Sequence, residues 1–348
     1  MDTLTHALSG ALLARASAPK QAPAGALPRR VAAGFLACAA PDLDFVLSYL
    51  GPAAYLEQHR GVTHSVLLLP LWALLLSWLL ARLLREPGGW KALYGLVAMA
   101  LAAHIVGDVI TSFGTIIFAP LADWRAAIGT TFIIDLWFTG IIVAGLVASI
   151  FFRKSRVPAL AASVVLASYV AFQWVMKERA VDVAERYREA RGLSGAAIQA
   201  HPRPVSPLNW TVFVSTEDAH HYAHLNVLRK EPREVSPDAG FISRLDAPYR
   251  PVDQAQWTVR PRYGESEESR ELAREAFNAE ALGFFRWFAA VPAVEEVSAG
   301  STCAWFVDLR FLTPGREAMP FRFGACRDHA NAPWRAYKRE GDTRVLVR

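Results

Sequence analysis

The sequence predicts a mainly α-helical membrane protein, in which a polytopic helical domain is followed by an extracytoplasmic α+β domain. The 348 residues are 53% hydrophobic with a mean hydropathy of +0.20, which is high for a soluble protein. Apolar residues dominate the first half, whereas the region after Lys177 has the mixture of charged and polar residues typical of a globular domain. We therefore predict a membrane domain at residues 1–176 and a soluble α+β domain at residues 177–348.

The chain begins with a short amphipathic helix at residues 1–16. This stretch is not a signal peptide, because its start is acidic and His6 interrupts its short apolar part. Five later stretches approach the roughly 20 residues that a helix needs to cross a bilayer. The predicted spans are Val31–Leu50, Ser65–Leu84, Ala92–Thr111, Phe132–Phe152 and Val157–Met176.

The distribution of positive charge predicts an orientation for these spans. The formal net charge is +5, and much of the excess lies in short clusters between the apolar runs. Basic clusters precede the first span, separate the second from the third, and separate the fourth from the fifth. Because cytoplasmic connections are enriched in lysine and arginine, we place these clusters in the cytoplasm. The prediction is a multi-pass protein of the bacterial inner membrane with an extracytoplasmic C-terminal domain and no nucleic-acid partner.

Several common kinds of site are absent from the sequence. It contains no Walker A loop, no dinucleotide-binding fingerprint and no internal repeat. The three cysteines have no CxxC spacing, so a structural zinc knuckle is not expected. A disulfide between Cys303 and Cys326 is compatible with an oxidising compartment, and two buried free thiols are an equal alternative.

The sequence of the C-terminal domain predicts two helices and two pairs of strands. The helices are expected at Lys177–Ala197 and Ser266–Ala290, from the spacing of their apolar residues. The strands are expected at Trp210–Ser215, His220–Arg229, Cys303–Leu312 and Pro320–Cys326. The histidines at 220, 221 and 224 lie in one of these strands, and we interpret them as a solvated or substrate-facing cluster.

Ionisable residues lie in or beside the predicted spans, where an unused charge is costly. His104 and Asp108 are four residues apart, so they share one helix face. Taken singly, such residues have ordinary explanations, such as pairing between helices or helix capping. The predicted topology, however, places all of them at one level near the outer face of the membrane. They are His6, Asp42, Asp44, His59, His64, His104, Asp108 and Asp135.

Histidine and carboxylate ligands together suit Zn²⁺, with Mn²⁺ or Fe²⁺ as alternatives. The candidate ligands exceed the four that one zinc ion takes, so one or two ions fit. Asp42 and Asp44 are also candidate catalytic residues, as ligand or general base. Arg60 is a candidate phosphate clamp, because guanidinium pairs with phosphate in a bidentate manner. The residues predicted to orient the ligands are Thr63, Ser65, Thr111, Ser112 and Asp135.

Four motifs carry a resemblance to a known family. They are Met-Asp-x-x-Thr-His at residues 1–6, Pro-Asp-x-Asp at 41–44, His-Arg-Gly-x-Thr-His-Ser at 59–65 and His-x-x-x-Asp-x-x-Thr-Ser at 104–112. Together they resemble the bacterial membrane-bound metal-dependent hydrolases, also called LexA-regulated, inner-membrane-associated hydrolases, over residues 1–175. The resemblance implies hydrolase activity and a metal site formed by His6, Asp42, Asp44, His59, His64, His104 and Asp108. The chain is also similar, more weakly, to zinc-dependent phospholipase C. It lacks that family's further downstream histidine and glutamate ligands.

The expected function is metal-dependent hydrolysis of a phosphoester in a lipid or lipid-linked substrate by metal-activated water. A lipid is favoured because a site at headgroup depth admits an amphiphile from the side. Two alternatives remain open. An ion- or proton-handling transporter also uses intramembrane histidine and aspartate, although its residues would follow a path across the membrane rather than one level. A non-catalytic metal-stabilised scaffold would have a closed site with no room for water.

Overall fold

The computed structural model divides into two compact units. The first comprises Met1–Val46 and Gln58–Val175, and the second comprises Leu47–Glu57 and Met176–Arg348. The structure describes residues 1–19, 25–236, 238–298, 302–316, 319–341 and 343–347.

The N-terminal half is mainly helical, as the sequence predicts, and the described residues 111–135 form turns and an isolated bridge between Thr115 and Ala126. Its first helix forms from Thr3 and is capped by Asp2, which accepts a hydrogen bond from the backbone N–H of Thr5. In chain order the helices are α1 (Thr3–Ala16), α2 (Ala26–Ala39), a 3₁₀ helix (Ala40–Leu50), α3 (Pro52–Gln58), a second 3₁₀ helix (Val62–His64), α4 (Leu69–Leu83), α5 (Gly89–Val109), α6 (Leu136–Phe151) and α7 (Val157–Ala190).

Three of the described helices are long and apolar enough to cross a membrane. They are Ala26–Leu50, in which α2 continues into the 3₁₀ helix, Gly89–Val109 and Val157–Ala190. The predicted second span, Ser65–Leu84, shortens to α4, a helix of 15 residues. Together with the preceding segment Pro52–His64, from which it is bent by 79°, it gives a fourth span only if the pair is taken as one. The predicted fourth span shortens to α6, a helix of 16 residues.

Two side chains explain why these spans are shorter than their apolar runs. Ser65 Oγ accepts the backbone N–H groups two and three residues further on, at 3.2 and 3.4 Å, so the chain turns before α4 begins. Asp135 accepts the N–H groups two and three residues further on, both at 2.9 Å, and fixes the start of α6. Hydropathy does not register such bonds from backbone to side chain, because the accepting residue lies inside the apolar run.

Close packing in the first unit depends on small residues. A Cβ atom added to Gly10 of α1 would overlap the carbonyl oxygen of Gly34 of α2, so the two backbones are nearly in contact. The buried faces of α2, α4 and α5 meet in a core of alanine, leucine and valine side chains. Large apolar side chains remain exposed elsewhere on α4, including Leu71, Leu75 and Trp78. An apolar surface of this kind suits contact with lipid.

The second unit contains two antiparallel sheets, which confirms the predicted α+β class. The first sheet has the strand order β1-β2-β3-β4 and the second has the order β5-β6-β7-β8-β9. The strands are β1 (Ala197–Pro202), β2 (Asn209–Ser215), β3 (Ala219–Asn226), β4 (Thr258–Pro261), β5 (Pro292–Val297), β6 (Thr302–Asp308), β7 (Phe323–Arg327), β8 (Arg335–Glu340) and β9 (Thr343–Leu346). The helices between strands are α8 (Phe241–Asp246), α9 (Glu267–Asn278) and α10 (Gly283–Phe288).

The predicted hairpins form, but the predicted helices of this unit need correction. The helix expected from Lys177 is the end of α7, which stops at Ala190. The helix expected at Ser266–Ala290 breaks into α9 and α10, because Ala279 has extended backbone angles of φ −59° and ψ 145°. Strands β1, β4, β5, β8 and β9 were not predicted.

The second unit also tests the predictions for the Cys303–Cys326 pair and for the histidines at 220, 221 and 224. Cys303 and Cys326 lie opposite each other on β6 and β7 and form a disulfide. Of the two alternatives that the sequence left open, the structure therefore contains the bond. The strand prediction for His220–His224 is right, but a solvated position is wrong for His220, which is 2% exposed.

Candidate metal centre

The first unit brings together donors from three of the predicted motifs. Asp42 lies on the 3₁₀ helix after α2, His64 lies in the loop before α4, and His104 and Asp108 lie one turn apart on α5. Each offers one ligand atom, and these four atoms all lie within 4.8 Å of one another. His64, His104 and Asp108 are fully buried, and Asp42 is 9% exposed. The group is therefore a buried cluster of two imidazoles and two carboxylates.

The facing atoms are the Nε2 atoms of both histidines and one oxygen from each aspartate. His64 Nε2 lies 2.9 Å from His104 Nε2 and 3.1 Å from Asp108 Oδ2. Asp42 Oδ1 lies 3.6 Å from His104 Nε2 and 4.0 Å from His64 Nε2. These separations would let one small cation contact all four atoms.

Hydrogen bonds on the outer sides of the rings decide which nitrogens carry protons. His104 Nδ1 lies 2.6 Å from the carbonyl oxygen of Cys38, so it donates and leaves Nε2 unprotonated. The Thr63 hydroxyl donates to Asp44 Oδ2 at 2.9 Å and lies 2.8 Å from His64 Nδ1. Because its proton is used on Asp44, this hydroxyl accepts from His64 Nδ1 and leaves His64 Nε2 unprotonated as well.

The cluster thus aims two nitrogen lone pairs and two carboxylates at one point. Such an arrangement is repulsive without a positive charge at its centre, and buried polar atoms normally have partners. Asp42 Oδ2 and Asp108 Oδ2 have no hydrogen-bond partner among the described residues. The His104–carbonyl and His64–Thr63 contacts are also the kind that orient metal-bound histidines. The residues present therefore fit a divalent metal ion.

The other oxygen of Asp108 is surrounded by basic groups. Its Oδ1 contacts His6 Nε2 at 3.0 Å, Arg60 Nη2 at 2.9 Å and the α-amino group of Met1. His6 also stacks on the His104 ring, with centroids 3.7 Å apart. These contacts hold Asp108 so that Oδ2 faces the cluster. His6, Cys38 and His104 make up a second group of three potential donors.

Asp44 and His59 contact each other instead of the four facing atoms. Asp44 Oδ1 lies 2.7 Å from His59 Nδ1, and Asp44 Oδ2 accepts from the backbone N–H of Arg60 at 3.0 Å. With the Thr63 contact, Asp44 fixes the loop that carries His64. In this structure Asp44 therefore supports a ligand rather than facing the centre.

Arg60, the predicted phosphate clamp, is buried beside Asp108. It is 2% exposed, and its backbone has a positive φ of 61°. Its Nη1 donates to the Thr111 hydroxyl at 3.2 Å, and its guanidinium lies 4.8 Å from the ring centroid of Phe113. Its positive charge thus lies beside Asp108.

Of the residues predicted to orient the ligands, some adjoin the cluster and others do not. Thr111 Oγ1 donates to the backbone carbonyl of Asp108 at 2.8 Å, so it adjoins the site. Ser65 Oγ donates to the carbonyl of Ala119 at 2.6 Å, and Ser112 lies shortly after the end of α5. Asp135 caps α6 and accepts hydrogen bonds from Tyr169 Oη and Gln173 Nε2, at 2.9 and 2.8 Å from Oδ2. Asp135 is not among the four grouped donors.

Sequence reasoning missed the contribution of Cys38. Its carbonyl oxygen orients His104, and its thiol is buried near both His6 and His104. The available signal was its position four residues before Asp42. A backbone carbonyl has no signature in side-chain patterns, so this role could not be predicted.

Comparison with known proteins identifies the membrane unit. The profile of the YdjM inner membrane protein family matches residues 1–180, a region that contains every residue of the cluster. The chain belongs to the YdjM inner membrane protein family. With its apolar helices, this membership makes the chain an inner-membrane protein. The predicted resemblance is thereby confirmed at the level of an inner-membrane family.

One curated relative adds a distant similarity. The chain is 29% identical over 132 residues to the uncharacterized protein YfhP of Bacillus subtilis (strain 168). That match covers 37% of this chain and 40% of YfhP. No solved structure matches the chain.

Proposed function

We propose that this YdjM-family protein is a metal-dependent hydrolase that cleaves a phosphoester in a lipid or lipid-linked substrate. The observation that carries the proposal is the convergence of two unprotonated imidazole nitrogens and two carboxylates. Two histidines and two carboxylates suit Zn²⁺ best, with Mn²⁺ and Fe²⁺ as alternatives.

The four cluster residues and Arg60 have different proposed roles in this reaction. A divalent ion held at this centre would acidify a water molecule and polarise a phosphoryl oxygen. Asp42, His64, His104 and Asp108 would hold the ion. Asp42 Oδ2 is buried and has no hydrogen-bond partner among the described residues, so it would be available as a proton acceptor at the centre. Arg60 would attract the negatively charged phosphoester.

The surroundings of Asp42 favour an amphiphilic substrate. On the same 3₁₀ helix, Leu43 is 63% exposed and Phe45 is 50% exposed. Apolar side chains beside the reachable edge of a polar centre would contact the acyl part of a lipid while its headgroup enters. A water-soluble phosphoester would gain nothing from them.

The proposed orientation puts the C-terminal domain outside the cytoplasm. The basic clusters between the apolar runs favour this side. The disulfide between Cys303 and Cys326 supports it, because disulfides persist in the periplasm and outside the cell but are rare in the cytosol.

One observation favours a second candidate function, a metal that only stabilises the fold. Three of the four cluster residues have no exposed surface, and a structural metal site is closed to substrate. Under this alternative the ion would be retained without any hydrolytic activity.

The two functions separate in one experiment. The full chain is purified in detergent without chelators, its metal content is measured by mass spectrometry, and hydrolysis of phosphatidic acid and of p-nitrophenyl phosphate is assayed. We expect about one or two metal ions and lipid phosphate release, with both lost in a His64→Ala/Asp108→Ala variant. Asp135→Asn is the matched control, because asparagine still caps α6 and the residue lies outside the cluster. Bound metal without hydrolysis of either substrate would support the structural metal instead.

A further inference from the structure

A second arrangement with catalytic character lies in the C-terminal unit, outside the metal centre. Ser215 ends β2 and His220 lies in β3, and the two residues are paired across the hairpin. Ser215 Oγ lies 2.8 Å from His220 Nδ1. His220 Nε2 lies 2.8 Å from the backbone carbonyl oxygen of Pro292, at the start of β5. A hydroxyl, an imidazole and an orienting acceptor thus stand in line.

The hydrogen bonds fix the direction of proton transfer along this line. A carbonyl oxygen has no proton, so His220 Nε2 must carry one and donate it to Pro292. In a neutral imidazole the other nitrogen, Nδ1, then holds a lone pair and accepts the proton of the Ser215 hydroxyl. This is the tautomer in which a histidine can activate a serine, and the third group holds it in place.

The environment keeps His220 in its neutral form. Burial lowers the pKa of His220, and the nearby guanidinium of Arg262 lowers it further, although the Pro292 carbonyl and Asp308 act in the opposite direction. A general base must be unprotonated at the working pH. The lowered pKa meets this requirement at neutral pH.

Both residues open onto a cleft that has room for a substrate. The cleft has a volume of about 910 Å³ and is lined by Ser215, His220, Arg262, Tyr263 and Phe277, among others. Ser215 is partly exposed, so its hydroxyl can be reached. A serine–histidine pair that serves only to join two strands has no need of such a cleft. Ligand sites of small molecules have volumes of this order.

Arg262 gives the cleft a positive charge near the pair. Its Nε atom has no hydrogen-bond partner among the described residues. A guanidinium there can stabilise negative charge that develops on a carbonyl oxygen. The guanidinium lies over the rings of Tyr263 and Phe277, at 5.3 and 5.5 Å from their centroids, which hold it at the cleft.

We propose that Ser215 and His220 form the nucleophile and general base of a second active site, which hydrolyses carboxylic esters with a medium-length acyl group. Ser215 Oγ bonds to the acyl carbon while its proton moves to His220 Nδ1. The bond between the acyl carbon and the alcohol oxygen breaks, and the proton passes from Nδ1 to that oxygen. Water then attacks the acyl-serine through the same base, which releases the carboxylic acid and restores the hydroxyl.

An alkyl fluorophosphonate tests this directly, because it attaches to an activated serine oxygen with loss of fluoride. The full chain in detergent is treated with the probe, and the modified residue is located by tandem mass spectrometry. We expect labelling at Ser215 and hydrolysis of p-nitrophenyl butyrate. Ser215→Ala should abolish both, and His220→Gln should slow both at least about 100-fold, the usual contribution of a general base.

Two controls make the outcome specific. Ser243→Ala should leave the labelling unchanged, because Ser243 lies on α8 and does not line the cleft. Asp42→Asn should also leave it unchanged, which separates this site from the metal centre. No labelling of Ser215 in the wild-type chain, or equal labelling rates in wild type and His220→Gln, would overturn the proposal. The labelling of Ser215 in the wild-type chain tests the proposal even if a variant fails to fold.

Discussion

The Thr63 hydroxyl is predicted to control metal affinity although it faces away from the cluster. A Thr63→Val substitution keeps the shape of the side chain but removes its contacts with Asp44 Oδ2, at 2.9 Å, and with His64 Nδ1, at 2.8 Å. His64 is then free to carry its proton on Nε2, where it would compete with the metal. Asp44 also loses one of the hydrogen bonds by which it fixes the loop that carries His64.

The magnitude follows from the two lost contacts. At about 1 kcal/mol each, they amount to roughly 2 kcal/mol. That corresponds to about a 30-fold weaker metal affinity, which agrees with the 10- to 100-fold effect usual for partners of metal-bound histidines. Competition titration of the detergent-solubilised protein against a fluorescent zinc chelator measures the change.

Two further variants make this result interpretable. Thr63→Ser restores a hydroxyl and should recover most of the affinity. Thr139→Val removes contacts of the same kind, with Thr5 Oγ1 at 2.8 Å and the Asp135 carbonyl at 3.0 Å, and should leave the affinity unchanged. Wild-type affinity in Thr63→Val, with affinity lost in His104→Ala, would refute the argument that Thr63 sets the protonation of His64.

Two other predictions concern stability. Gly10→Ala should lower the free energy of unfolding by about 1–3 kcal/mol, because the added Cβ overlaps the Gly34 carbonyl; Gly140→Ala, where a Cβ meets no atom within 4 Å, should not destabilise. Thermal unfolding in detergent compares them, and equal melting temperatures for Gly10→Ala and wild type would contradict the close packing. Burial, and then Arg203, lowers the pKa of His224 to about 3. Since its unfolded pKa is about 6.5, His224 stabilises the fold fully above pH 6.5 and loses this contribution as the pH falls towards 3, about 1.4 kcal/mol by pH 5.5. The fall in urea stability from pH 7.5 to 5.5 should therefore be smaller in His224→Gln, and equal falls would contradict the shift.

The sequence predicted the helical membrane unit and named all four residues of the cluster, because apolar runs and closely spaced ionisable residues are local patterns. Apolar runs reveal helices, and the four-residue spacing of His104 and Asp108 reveals a shared face. The helix starts depended on single side chains: Ser65 fixes a turn before α4, and Asp135 caps α6, within runs that hydropathy treats as continuous.

The roles of similar residues could not be separated from sequence. Asp42 and Asp44 look equivalent in Pro-Asp-x-Asp, but on a 3₁₀ helix with about three residues per turn they point in different directions. Asp42 consequently joins the donors, while Asp44 faces the loop. Arg60 is buried and has a positive φ, which no sequence pattern predicts for arginine. The pairing of Ser215 with His220 required the register of a hairpin, and Pro292 is distant in sequence.

The most direct test of the metal centre is X-ray absorption spectroscopy of the metal in the full chain, purified without chelators. The structure predicts a first coordination shell with two imidazole nitrogens and at least two oxygens, from Asp42, His64, His104 and Asp108. His104→Gln should lose one imidazole or the metal altogether, while His221→Gln, in the C-terminal unit, should give the wild-type spectrum. A wild-type protein that binds no metal when zinc, manganese or iron is supplied would contradict the account, as would an unchanged two-imidazole shell in His104→Gln.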